Sequence, residues 1–182
     1  AAYEALMDDY EPGATVEPLV AVFADLRARL TPLIAEVVDR QGPEGGPLHG
    51  LVVPPGREMA FTRRVAERIG FDFDAGRLDI STHPFCEGSG PGDTRLTTRF
   101  HEELFLDALS STLHETGHGL YEQGLPKGEL LGQPLSEPVS LGIHESQSRM
   151  WENLVGRSAP FWEWALPEAR KAFASDLDGL TA

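Results

Sequence analysis

Apolar residues recur at helical spacing along most of the chain. Leu19, Phe23, Leu26, Leu30, Leu33, Ile34, Val37 and Val38 make one stripe of this kind. Thr15 can cap that helix, and Pro18 falls in its first turn, where a missing N–H is tolerated. Pro32 removes a backbone donor further on, so a kink or a division in two is expected there. Ahead of the stripe, Ala1 to Tyr10 reads as the end of a helix stopped by Glu11-Pro12-Gly13. Residues 42–56, rich in Gly and Pro, read as a loop. Arg57 to Ile69 is again helical, with Gly70 as its stop.

The pattern then changes period. Arg77-Leu78-Asp79-Ile80-Ser81 and Thr94-Arg95-Leu96-Thr97-Thr98-Arg99 alternate apolar and polar residues or carry β-branched ones, as short strands do. The stretch HPFCEGSGPGD between them reads as a long turn, which predicts a small antiparallel ribbon. A long helix is expected from about Glu102 to Gln123, with Leu104, Phe105, Ala108, Leu109 and Leu113 on its core face and Gly124 as its end. Residues 125–139 form a connection. Ser140 can cap a helix running to about Val155, and Ser158-Ala159-Pro160 opens the last one. Trp151, Trp162 and Trp164 are expected as core or interface anchors. The fold class is therefore mainly α, with the β-ribbon placed before the long helix.

Composition narrows the function. At 182 residues with 41% hydrophobic positions, the chain has the length and apolar content of one folded domain. Its 15 basic against 29 acidic residues give a net charge of −14, which repels phosphate backbones and anionic lipid. Nucleic-acid and membrane partners are thus not expected. No run of about eighteen apolar residues is present, and the acidic N-terminal stretch lacks the basic flank of a secretion signal. The single cysteine, Cys86, forbids an intrachain disulfide and suits a reducing, cytoplasmic location.

The chemistry gathers in the long helix. His114-Glu115-Thr116-Gly117-His118 is an HExxH pattern, of which this composition yields about 0.02 chance occurrences. Histidines four apart share one helical face, so both imidazoles can hold one divalent ion. Glu115, about 100° around the helix from His114, can reach a water on that ion and move its proton. Gly117 weakens the helix by about 1 kcal/mol relative to Ala, and a small residue there would let another segment come close. A zinc peptidase needs a third protein ligand. Glu122, Glu129, Glu137, His144, Glu145 and Glu152 all follow, and spacing alone leaves the choice between Glu145 and the others open.

His83-Pro84-Phe85, Asp93-Thr94-Arg95-Leu96-Thr97, HETGHGLYEQGLP from His114 and SLGIHESQSRMWENLVGRS from Ser140 occur in that order. Together they closely resemble the M32 family of metallocarboxypeptidases. The resemblance implies a helical zinc-peptidase fold, with His114, His118 and Glu145 as metal ligands and Glu115 as general base. It implies Zn²⁺, replaceable by Co²⁺, peptide substrates with a free C-terminus, and a homodimer. It also implies that His83 and Arg95 line the substrate cavity, although Arg95 could equally pair with Asp93 in an ion pair that stiffens the ribbon. His144, beside the proposed ligand but pointing elsewhere, suits hydrogen bonding better than coordination. M32 proteins are considerably longer, and two of the family's later motifs have no counterpart here. Residues 1–182 are therefore expected to be one segment of a larger catalytic domain. A zinc endopeptidase of similar design, or an inactive metal-binding or dimerisation module, are the rival readings.

Overall fold

The computed structural model describes residues 2–41, 52–101 and 105–173. The chain forms two compact units, residues 1–46 and 47–182.

The first unit is a pair of helices, α1 (Ala2–Asp8) and α2 (Val16–Arg40). The turn between them is built as Glu11-Pro12-Gly13 predicts. Gly13 takes a positive φ of 79°, its N–H donates to Asp8 Oδ1 at 2.8 Å, and Glu4 Oε1 accepts from the Val16 N–H. Thr15 occupies the N-cap position in extended backbone, but without a side-chain cap bond. Helix α2 runs unbroken through Pro32, so the expected division is not made.

The second unit is organised around one long helix. Helix α3 (Pro55–Arg68) begins with Pro55 in its first turn and ends at Gly70, whose φ is 114°. Strands β1 (Gly76–Ile80), β2 (Cys86–Gly90) and β3 (Asp93–Thr98) follow, then α4 (Phe105–Gly124), the short α5 (Lys127–Leu130) and a 3₁₀ turn at Pro134–Ser136. Helix α6 (Leu141–Arg149) continues directly as a π-helical stretch over Met150–Val155, and α7 (Ala159–Phe173) closes the order. Of the predicted face of α4, Phe105, Ala108, Leu109 and Leu113 are buried; Glu102 and Leu104 lie outside the described residues, as does most of the 42–56 loop.

The sheet corrects one expectation. The two predicted strands exist, but β1 pairs with β3 in parallel rather than antiparallel fashion. The stretch expected as a long turn contains the third strand, β2, which pairs antiparallel with β3 and makes a mixed sheet of order β1-β3-β2. The chain reverses between β2 and β3 at Pro91-Gly92, with Gly92 at φ 72°. Because β2 returns the chain, β3 enters the middle of the sheet in the direction of β1.

Two apolar clusters flank α4. Phe61 and Val65 of α3, Leu109 and Leu113 of α4, and Phe161 and Phe173 of α7 form the larger. Ring contacts join Phe61, Phe105 and Phe173 with centroids 5.1–6.2 Å apart. The smaller joins Ala66 and Phe71 to Leu96 of β3. Between sheet and helix lies a polar stitch: Thr112 Oγ1 donates to Thr98 Oγ1 at 3.1 Å, and Thr98 Oγ1 donates to the Ala108 carbonyl. Trp162 and Trp164 pack against the larger cluster, as anchors should, and Trp162 Nε1 donates to the Gly156 carbonyl. Packed on two sides, α4 is a rigid rod from which side chains can project in fixed directions.

Candidate metal centre

Two glycines open opposite sides of α4 to close neighbours. A Cβ on Gly119 would stand 2.7 Å from the Phe71 ring and 2.9 Å from Leu96, so its absence lets the sheet side close. A Cβ on Gly117 would stand 2.6 Å from both the Gln147 carbonyl and Ser148 Cα. The small residue inside the HExxH run therefore admits the backbone of α6 against α4. Ser140 caps α6, its Oγ accepting from the Ile143 N–H at 3.1 Å, and this sets where the helix begins.

That approach brings Glu145 to the two histidines. Its Oε2 lies 3.3 Å from His118 Nε2 and 3.6 Å from His114 Nε2. One ligand atom from each of the three residues falls within 4.8 Å of the other two. A tetrahedral ion with bonds of about 2.0–2.2 Å places its ligand atoms roughly 3.4 Å apart. The two distances from Glu145 Oε2 are near that spacing, and the donor set, two imidazoles and a carboxylate, suits such an ion.

The remaining atoms of the three residues are held from behind. His114 Nδ1 donates to Glu152 Oε2 at 2.9 Å. His118 Nδ1 lies 2.5 Å from His144 Nδ1, and His144 Nε2 lies 2.8 Å from Glu122 Oε1. Glu122 is also paired with Lys127. Arg149 Nε donates to Glu145 Oε1 at 2.8 Å, and Ser148 Oγ to its Oε2 at 3.1 Å. Both Nε2 atoms and Oε2 are thus left facing a common point.

Electrostatics follows burial. His118 is pushed down to about 4, first by desolvation and then by the neighbouring His144 and His114, which favours the neutral imidazole a metal requires. Burial pushes Glu145 upward, but the Arg149 hydrogen bond, His114 and Ser148 outweigh it and hold the carboxyl below its usual range. Glu122 behaves alike: desolvation is overcome by His144 and Lys127. Glu115, 6% exposed, is pushed up to about 7 by burial, partly opposed by His114 and His83.

A cleft of about 300 Å³ opens beside His114 and Glu115, with His83, Pro84, Arg99 and Arg149 on its walls. His83 is therefore brought to the site; its Nδ1 donates to the Pro84 carbonyl, and its own carbonyl accepts from Ser81 Oγ. Arg95 stands elsewhere, on the exposed side of β3, with its Nη2 2.7 Å from Asp93 Oδ2. The guanidinium that β3 sends toward the cleft belongs to Arg99, just past the strand's end, and another comes from Arg149. Sequence reasoning passed over both, and over Glu152 as the partner of His114. Arg149 and Glu152 lie four and seven residues after Glu145, on its side of the helix, which is the spacing that could have revealed them. Cys86 takes no part: burial pushes its thiol further up, which leaves it unreactive.

The model of the carboxypeptidase Taq (M32) metallopeptidases matches residues 1–182. The chain belongs to the M32 metallopeptidase family. Its M32 relatives include a thermostable carboxypeptidase 1 from Thermus thermophilus, 48% identical over 174 residues, which are 95% of this chain and 34% of that protein. A carboxypeptidase 1 from Bacillus subtilis is 39% identical over 160 residues, covering 88% of this chain and 32% of the relative. Among solved structures, an M32 carboxypeptidase from Deinococcus radiodurans matches with a TM-score of 0.86 at 46% identity, over 96% of this chain and 35% of its own. The chain spans about a third of the length of the curated relatives it matches.

Proposed function

We propose that this M32 chain carries the metal-binding and proton-transfer part of a carboxypeptidase that releases C-terminal residues from peptides. The observation that supports it most is the convergence of His114, His118 and Glu145 within 4.8 Å, beside a cleft lined by Glu115. In this reading the three residues hold a divalent ion, zinc by its match to a nitrogen and oxygen donor set, with cobalt as a substitute. Such an ion, when bound, acidifies a water and polarises the scissile carbonyl.

The rest is done by side chains. Glu115 accepts the water's proton and returns it to the departing amine, and its burial keeps its basicity near neutrality. Arg149 keeps Glu145 Oε1 occupied so that Oε2 stays turned toward the histidines. His83, on the cleft wall, is placed to donate to a peptide carbonyl. Arg95 would take part only by leaving Asp93. We read the working protein as cytoplasmic, in keeping with one cysteine, and as a homodimer, as its family resemblance implies. No described helix is long and apolar enough to cross a membrane.

Two measurements on the full-length protein test this. Glu115→Gln is expected to retain bound metal while hydrolysis falls by about 10²–10⁴-fold. Peptides with an amidated C-terminus are expected to resist cleavage, whereas the same peptides with a free carboxylate lose residues from that end. Equal cleavage of both would make the enzyme an endopeptidase, and unchanged turnover in Glu115→Gln would remove the proposed proton carrier.

A further inference from the structure

The two histidines of the centre are supported in different ways. His114 Nδ1 reaches a carboxylate directly, at Glu152. His118 Nδ1 instead meets the ring nitrogen of another histidine, His144, at 2.5 Å. Two facing ring nitrogens can bond only if one carries a proton and the other a lone pair. The direction of that bond decides whether His118 presents a lone pair or an N–H at Nε2, and hence whether it can be a ligand at all.

The residues beyond decide it. Glu122 Oε1 lies 2.8 Å from His144 Nε2, and a carboxylate held by Lys127 can only accept, so His144 donates from Nε2. A His144 that carries its one proton on Nε2 has a lone pair on Nδ1 and accepts there from the Nδ1–H of His118, which also has the His144 backbone within reach. His118 Nε2 is left with its lone pair, 3.3 Å from Glu145 Oε2. His144 itself is clamped: Tyr121 meets it edge-on with ring centroids 5.0 Å apart, and its side chain is 15% exposed.

A separate feature shows how closely the relay is seated. Gly88 of β2 passes directly over the Glu122–Lys127 pair. A Cβ there would fall on the Glu122 carboxylate and within 2.7 Å of Lys127 Nζ. The ion pair's far side is therefore formed by bare strand backbone.

We propose that Lys127, Glu122 and His144 are a positioning relay that fixes the tautomer and orientation of His118, and that Gly88 leaves the room in which the Glu122 carboxylate and Lys127 seat. The proposal rests on the metallopeptidase reading above and extends it to residues that touch neither ion nor substrate. Partners of this kind, behind a metal-bound histidine, change metal affinity by about 10–100-fold when removed.

The test is zinc affinity of the full-length protein, by competition with a chelating dye, for wild type, His144→Leu, His144→Asn and Gly88→Ala. His144→Leu is expected to bind zinc about 10–100-fold more weakly. His144→Asn places an amide oxygen where Nδ1 stood, accepts from His118 again, and recovers most of the affinity. Gly88→Ala weakens binding although it removes no polar group. Nitrogen-15 NMR of the zinc-loaded wild type supplies a readout that packing alone would not produce: the proton of His144 resides on Nε2 and that of His118 on Nδ1. If His144→Leu does not fold, Gly88→Ala and this spectrum decide the matter. Wild-type affinity in His144→Leu or in Gly88→Ala, an Asn variant as weak as the Leu variant, or a His144 proton on Nδ1 each overturns the relay. Wild type that takes up no zinc overturns the metallopeptidase reading, and the relay with it.

Discussion

Gly117 of α4 lies against the backbone of Ser148 in α6, so close that a methyl group at position 117 would stand 2.6 Å from Ser148 Cα. The glycine sits between the two histidines that α4 contributes, and Ser148 follows Glu145 by three residues. The contact that lets the helices touch therefore also sets the distance from Glu145 to both imidazoles.

Gly117→Ala puts two effects in opposition. Alanine favours the helix by about 1 kcal/mol. Overpacking costs about 1–3 kcal/mol, and here the obstacle is backbone rather than the end of a flexible side chain, which places the cost at the upper end. A net loss of about 2 kcal/mol in unfolding free energy is expected from denaturant titration, together with weaker metal binding as α6 is pushed away. Gly128→Ala, in α5 where an added Cβ meets nothing within 4 Å, is the control: it carries only the helix-favouring effect and should leave metal binding unchanged.

Arg149 separates geometry from stability. Its bond to Glu145 is an i,i+4 pair with the guanidinium side chain 58% exposed, worth about 0.3–0.5 kcal/mol to the fold. Yet it occupies the one carboxylate oxygen that does not face the histidines. Arg149→Ala is expected to melt within a degree or so of wild type. It should still lose several-fold in zinc affinity, because Glu145 Oε1 and Glu152, which Arg149 reaches at 3.3 Å, both lose that partner. Unchanged affinity by chelator competition would mean that Ser148 alone orients the ligand.

How much of this could be read from the chain depends on how local each signal is. The α4 face was legible because Phe105, Ala108, Leu109 and Leu113 repeat at helical spacing, and the shared face of His114 and His118 because a spacing of four on one helix fixes it. Gly117 announced a close neighbour, and α6 is that neighbour. Strand β2 was hidden by its own glycines, of which Gly88 lies over the Glu122 carboxylate rather than in a turn. The parallel pairing of β1 and β3 was hidden because it depends on where β2 takes the chain. Glu145 could not be chosen by spacing, since the connection from α4 to α6 contains α5 and a 3₁₀ turn whose geometry no periodicity reveals. The rear partners fall to tertiary contact: His144 and Glu122 meet only because the two helices cross at Gly117.

Glu58 should give the pH dependence of stability its slope away from the metal centre. It is 1% exposed in α3, and its Oε1 has no hydrogen-bond partner among the described residues. Desolvation, with the charge of Asp107 adding to it, pushes the carboxyl up from 4.5 to about 7. Between those two values the folded state keeps a proton that the unfolded state has released, so stability falls as pH rises through the window. It is full below about 4.5 and lost above about 7, where both states are ionised. The span corresponds to a loss on the order of 3 kcal/mol. Glu58→Gln removes the ionisation while keeping the shape of the side chain. Denaturant midpoints should therefore match wild type at pH 4, and the variant should be the more stable protein at pH 8. Equal displacement of the two proteins at both pH values would show that Glu58 titrates alike in the folded and unfolded states.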